Sequence, residues 1–423
     1  MLATWGCTTF PKPTLDLQFA GATSLDNRIT FTRATTATYF NSSGVLSTAA
    51  SGEARFDYNP TTLAARGLLI EEQRTNSIRN NTGQGAVAGT PGTLPTNWTG
   101  GTTVDNLTRE IVGTGTENGI NYIDVRYSGT SGAAGNLTVL TFDALNFITA
   151  ANAQTWTGAA YFKLVAGTLT NVILLSLTVR YNDSSGLSLT SQNSAFTPTA
   201  SLERVTNTFT AANASTAFVA ATLVANFTND LPVDFTLRIG LPQLEQGAFA
   251  TSVIPTTTTA LTRNADVASM TGTNFSSWYN QSSGSMFVEF SLSQPASGGN
   301  QFLVRASDNS YNNAVVDNVA STGFVQLVTA SGGVFDGSAS AAVAVSANTN
   351  TKFCGAYATN DIAACKDGGT VATDTSATIP TALTRFDIGS DHAGVNRVKA
   401  GYIRRIAYYP VRLANTTLQA LTA

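Results

Sequence analysis

Apolar and polar side chains alternate over Ile29-Thr30-Phe31-Thr32-Arg33. Period two predicts a strand with one buried face. Residues 37–40, the turn formers Asn41-Ser42-Ser43-Gly44 and residues 45–46 predict a hairpin. Residues 55–58, closed by Asn59-Pro60, and residues 67–71 predict further short strands. The first 25 residues are expected to be irregular, because Pro11 and Pro13 fix φ and remove ladder donors. Residues 81–100 are dominated by Gly, Pro and Thr and predict a linker.

Beyond the linker, residues 122–127, 155–162, 172–180, 205–209 and 233–239 predict strands separated by Gly, Asn and Ser clusters. Such spacing suits an antiparallel sandwich or jelly roll. Residues 250–283 show no helical period and read as a connector. Strand signals return at 285–290, 302–305, 323–328, 353–357 and 401–409. The one convincing helix is predicted over 413–421, opening near Asn415 as N-cap. The expected organisation is all-β: a strand-rich attachment region over 1–95, a jelly-roll domain over 96–255, a connector over 256–283 and a second sandwich over 284–423.

Composition narrows the function. Charged residues make up 12% of the 423 residues, hydrophobic residues 43%, aromatics 9%, and the net charge is −3. Enough apolar residues are present for real cores, and scarce Lys and Glu disfavour helices. The longest Lys/Arg run is Arg404-Arg405, so no basic footprint for nucleic acid exists. No apolar run is long enough to span a membrane, and the N-terminus shows no signal-peptide pattern. Three cysteines make neither a disulfide scaffold nor a zinc pattern.

The stretch from Ser24 to Phe40, SLDNRITFTRATTATYF, is followed by Arg55-Phe56-Asp57-Tyr58 and by Arg66 to Asn76, RGLLIEEQRTN. Together these resemble tailed-phage virion proteins, found in head and tail fibres and spikes, and their relatives in gene transfer agents. Pro242 to Ser252, PQLEQGAFATS, resembles the closing strand of carbohydrate-binding-module-like jelly rolls in such proteins. Arg385 to Ser390, with Gly401 to Pro410, resembles the end of a laminin-G/concanavalin-A-like domain. The resemblance implies a structural virion protein that displays non-catalytic glycan-binding domains for host attachment. Such a protein is expected to be made in the bacterial cytoplasm and assembled on the particle exterior, with residues 1–25 docking onto another virion protein. Fibres of this kind are usually homotrimers, and a trimer is expected. A polysaccharide depolymerase and a secreted bacterial lectin or adhesin are the alternatives.

The residues offer little for covalent chemistry. A Ser-His-Asp triad would need His392, the single histidine, and no nucleophile elbow is present. Glu71 and Glu72 are adjacent on a predicted strand and point to opposite faces, so they cannot form a glycosidase acid pair. Sugars are held by aromatic rings with amide and carboxylate hydrogen bonds. The candidates are Trp98, Tyr161 and Tyr181 in the middle domain, and Trp278, Tyr279, Asp308, Asn309, Tyr311, Asn312 and His392 in the last. Trp156 alternates with Thr155 and Thr157 and is expected to face inward. Asp308, Asn309 and Asn312 also make a calcium candidate, with Asp336 and Asp391 as further oxygen donors. No other cofactor is expected.

Strands at 352–358 and 361–367 around the turn Thr359-Asn360 put paired residue numbers at a constant sum of 719. That register sets Cys354 opposite Cys365. In a reducing cytosol the two are expected to be close, buried and reduced, with Cys7 separate.

Overall fold

The computed structural model describes residues 11–133, 135–296 and 298–423. All-β architecture is what it shows, with short helices at Thr273–Ser276 and Asn415–Thr422. The chain divides into two compact units. The first takes the chain up to residue 44, residues 49–72 and residues 264–423. The second takes residues 45–48 and 73–263.

The first unit is a sandwich of two antiparallel sheets, counted among the described residues. One runs Ala372–Asp374, Asp361–Lys366, Thr351–Ala358, Gly284–Leu292, Ala400–Tyr409, Ala65–Glu71, Phe56–Tyr58. Leu15–Gln18 also pairs with Ala400–Tyr409. The other runs Thr30–Thr32, Val267–Thr271, Arg385–Ile388, Gln301–Ser307, Ala314–Val319, Val325–Ser331, Val334–Ser340. Alternation assigns the faces. Val288, Phe290, Ile403, Ile406 and Tyr408 enter the shared core, whereas Glu289, Ser291, Tyr402 and Arg404 are only partly buried on the outer face. Part of that outer face is covered by the C-terminal helix, whose Leu418 clusters with Phe287, Cys354, Cys365 and Ala407. Elsewhere it carries the partly exposed polar side chains Glu289, Ser291, Tyr402 and Arg404.

Several expectations change here. The N-terminal region is not a separate module ending at residue 95, because Leu15–Gln18 and Ala65–Glu71 complete the edge of the Ala400–Tyr409 strand. Leu15, Leu17 and Phe19 are buried, so these residues of the proposed 1–25 docking segment belong to the core. Cys7 lies outside the described residues. The connector over 256–283 carries two strands, Leu261–Arg263 and Val267–Thr271, and the Thr273–Ser276 helix. The C-terminal helix starts at Asn415, but its N-cap is Ala414 without a side-chain bond. Asn415 instead accepts from Arg412.

The second unit packs a six-stranded sheet against a four-stranded one. The first runs Glu203–Thr210, Thr155–Thr168, Pro232–Gln246, Ile120–Thr130, Leu107–Glu117, Thr103–Val104. The second runs Leu137–Thr141, Phe218–Phe227, Val172–Asn182, Ser188–Ala195. Ile123, Val125, Leu177 and Leu223 are among the core residues between them. The 81–100 segment is irregular but fastened to this unit. Asn80 Nδ2 donates to the carbonyls of Gln84 and Thr96, and Trp98 Nε1 donates to Asn80 O.

The motifs that carry the resemblance turn out to be scaffold. Arg55 pairs with Glu71 at 2.8 Å and with Asp266 at 2.6 Å, and Arg33 pairs with Asp266 at 3.0 Å, all in the interior. Asp57 accepts from the Phe40 N–H and the Tyr402 hydroxyl. In the second unit, Glu245 accepts from the Thr251 N–H and hydroxyl, and Gln243 accepts from the Ile254 N–H. Buried ions left singly cost several kcal/mol, so such networks specify one arrangement of the strands they join.

Candidate functional site

The predicted aromatic platforms are mostly interior. Trp98, Trp156, Tyr161, Tyr181, Trp278 and Tyr279 are all buried. Large rings gain most by leaving water. Trp98 meets Phe142 edge-on at 5.0 Å, and Trp278 meets Phe386 at 5.2 Å. Tyr181 Oη donates to Phe209 O, and Trp278 Nε1 to Asn274 O. None of these rings can present a face to a ligand.

Tyr311 is different. It sits on the loop between Gln301–Ser307 and Ala314–Val319 with 42% of its surface exposed. Asp308 shapes that loop. Its carboxylate accepts from the Ser310 N–H and hydroxyl and from Asn313 Nδ2, an Asx-type turn. Burial raises the Asp308 carboxyl, and these bonds outweigh it and hold it below its ordinary value. The ring then leans on the loop that follows Arg385–Ile388. Its hydroxyl donates to Asp391 Oδ2 at 2.9 Å, and it meets His392 edge-on at 4.7 Å.

Two arginines support this surface from below. Arg305, buried, donates to Ser307 Oγ and to the Ser310 carbonyl, and lies 5.5 Å from the Tyr311 ring centre. It also approaches His392 Nδ1 at 3.1 Å. A guanidinium can only donate, so Nδ1 accepts and Nε2 carries the hydrogen. Arg385 is clamped by Asp387 and donates to Asn309 Oδ1 at 2.7 Å, which leaves the Asn309 amide nitrogen outward. Burial raises Asp391, but the Asn396 N–H and amide, the Tyr311 hydroxyl and the Val395 N–H bring it below its ordinary value. It is a fixed anion that holds the ring in place.

Of the expected site residues, Tyr311, His392, Asp308 and Asn309 therefore form one cluster, with exposed Asn312 next to it. Gly333 N–H donates to Asn312 O, which brings in the hairpin tip bearing Phe335, 68% exposed. Arg305 and Phe335 carry no local motif, and Arg385, though it opens the Arg385 to Ser390 motif, carries no local sign of a site; the pairing of distant strands places them here. In the calcium candidate, Asp308 Oδ1 accepts from Ser310 and Oδ2 from Asn313, and Asn309 Oδ1 accepts from Arg385. Among the described residues no group of three or more His, Cys, Asp or Glu side chains converges as metal ligands. Asp336 accepts from Thr378 N–H, away from this loop.

No family model and no curated protein sequence matches the chain. Solved structures show a slight overlap. The CBM40 of Ruminococcus gnavus IT-sialidase, bound to alpha2,3 sialyllactose, is 15% identical over 34% of this chain and 84% of its own, at a TM-score of 0.30. Domains LG4-5 of the mouse laminin alpha1 chain are 11% identical over 66% of this chain and 89% of theirs, at 0.22. The CBM22 tandem domain of Paenibacillus barcinonensis Xyn10C is 10% identical over 80% of this chain and 98% of its own, at 0.23. Overlaps this slight assign no activity.

Proposed function

We propose that this protein is a non-catalytic glycan-binding component of a virion exterior, a fibre, spike or decoration, that attaches the particle to host-surface sugars. The observation that carries the binding reading is the Tyr311 surface. An exposed ring, held on its hydroxyl by Asp391 and on its edge by His392, lies among outward-facing amides. A sugar ring offers C–H groups to an aromatic face and hydroxyls to amides, and a prefixed ring reduces the entropy lost on binding. Glu71 is paired with Arg55 and Glu72 with Lys399. The virion reading is supported by the three motif resemblances, and self-association as a trimer belongs to that reading.

Purified full chain mixed with host capsule should bind without releasing reducing ends, and Tyr311→Ala should weaken binding by about tenfold or more, about 1.4 kcal/mol, with melting unchanged. Shortened polysaccharide would instead establish a depolymerase. Purified particles should contain the chain; its presence only in the culture medium would establish the lectin or adhesin alternative. Sedimentation of a monomer at micromolar concentration would overturn the trimer.

A further inference from the structure

The outer face of the first unit holds a second feature that this reading does not use. A cleft of about 400 Å³ is lined by Arg66, Arg404, Tyr402, Ser291, Ser293 and three asparagines, Asn59, Asn348 and Asn350. That volume is within the range of small-molecule sites, about 300–1,000 Å³. Among the described residues no carboxylate lines it.

The two guanidinium groups are anchored differently, Arg66 through Nη1 alone and Arg404 through both Nε and Nη1. Arg66 Nη1 donates to the Tyr402 hydroxyl at 3.0 Å and to Asp57 at 3.3 Å. Arg404 Nε donates to Glu289 at 3.0 Å, and its Nη1 donates to Ala65 O at 2.7 Å. Among the described residues, Arg66 Nε and Nη2 and Arg404 Nη2 have no protein acceptor. Glu289 is shared with Asn350 Nδ2, and Asp57 with the Phe40 N–H and the Tyr402 hydroxyl. The acceptors behind the cleft are thus committed, while donors in front are open. The Tyr402 hydroxyl is also spent on Asp57, so its ring serves as a wall, with Arg66 Cζ 5.4 Å from the ring centre. The free Nε/Nη2 edge of Arg66 matches a carboxylate, which brings paired acceptors in one plane, and Arg404 Nη2 adds a single donor to the same cleft. Serine hydroxyls and asparagine amides suit the remaining hydroxyls of a sugar.

We propose that this cleft binds a carboxylate-bearing sugar of one or two rings, separately from the Tyr311 surface. The site does not depend on the Tyr311 reading. The same chemistry could come from a free sugar acid or from a residue of an acidic polysaccharide.

Isothermal titration of the full chain with sodium glucuronate, glucose and trigalacturonate tests it. Glucuronate or trigalacturonate should bind at least about tenfold tighter than glucose. Binding of trigalacturonate without glucuronate identifies the polysaccharide as the source; binding of glucuronate identifies the free acid as sufficient. Asn348→Asp puts a negative charge at an exposed position whose φ of 56° aspartate tolerates, so the fold should persist. That variant and Arg404→Gln should each weaken acid binding about tenfold, and Tyr311→Ala should leave it unchanged. Equal binding of glucose, no binding of either acid, indifference to both cleft variants, or loss on Tyr311→Ala would overturn the proposal. Failure of capsule binding in Tyr311→Ala with intact glucuronate binding would concern only the Tyr311 surface.

Discussion

Asp317 is buried in the core of the first unit, on the same face of its strand as Val315 and Val319, and it points at Gly355 of the opposite sheet. Neither carboxyl oxygen meets a donor at hydrogen-bond geometry, the Gly355 backbone being the nearest polar neighbour. Burial pushes the carboxyl well above its ordinary value. Between the ordinary carboxylate range and the raised native value, the folded protein keeps a proton that the unfolded chain has released. Stability therefore falls as pH rises through that window. Asp317→Asn is close in size and cannot ionise. It should unfold like the native protein near pH 3.5, and gain on it by up to about 1.4 kcal/mol per pH unit across the window. Denaturant midpoints measured from pH 3.5 to 8 check this. A constant offset between the two proteins would show that ionisation is not the cause.

At the scale of elements, the strand register pairs Cys354 with Cys365, and both are free and buried. The C-terminal helix closes over them. Leu418 is fully buried in their cluster, and Thr422 Oγ1 lies 3.3 Å from Cys365 Sγ. Burial pushes the Cys354 thiol well above its ordinary value, so the reactive thiolate is scarce. In a Cys7→Ser background the folded protein should resist an aromatic disulfide reagent at pH 8. Leu418→Ala should cost about 2–5 kcal/mol and raise labelling about tenfold by letting the helix lift. Labelling that rises only in proportion to the global unfolding constant would mean that the thiols open only on global unfolding. This hairpin was legible in the sequence because its turn is short and its register follows from counting. Other strands were not. Phe218–Phe227 and Ala314–Val319 are central strands buried on both faces, so they lack the period-two alternation that marked residues 29–33. Asp317-Asn318 reads locally as turn chemistry, yet both residues lie within such a strand. The site was half legible for the same reason. The loop sequence exposed Tyr311 and Asn309, while the arginines beneath them come from strands that only the sheet brings together.

At the scale of the molecule, the chain leaves the first unit after Glu72 and returns to it at Asn264. Both ends of that departure are tied locally. Asp266 N–H donates to Glu71 O at 3.0 Å, and Glu71 N–H donates to Asp266 Oδ2 at 2.9 Å, so the two points of the first unit are neighbours. In the second unit, Arg74–Asn76 pairs with Leu261–Arg263 in antiparallel register, Arg74 opposite Arg263. Each unit has its own core, with Ile403 and Val304 in one and Leu177 and Val125 in the other. The second unit is therefore an insertion whose ends meet, the arrangement in which excision is tolerated best. Replacing residues 73–263 by a short Gly-Ser linker should leave a first unit with cooperative melting, sheet-type circular dichroism and intact glucuronate binding. Residues 73–263 made alone should also melt cooperatively. Because only residues 45–48 of the second unit lie outside that fragment, their loss should lower its stability without abolishing the transition. A molten, dye-binding product from either fragment would show that the two units form one cooperative structure, and the reading as an insertion would fail.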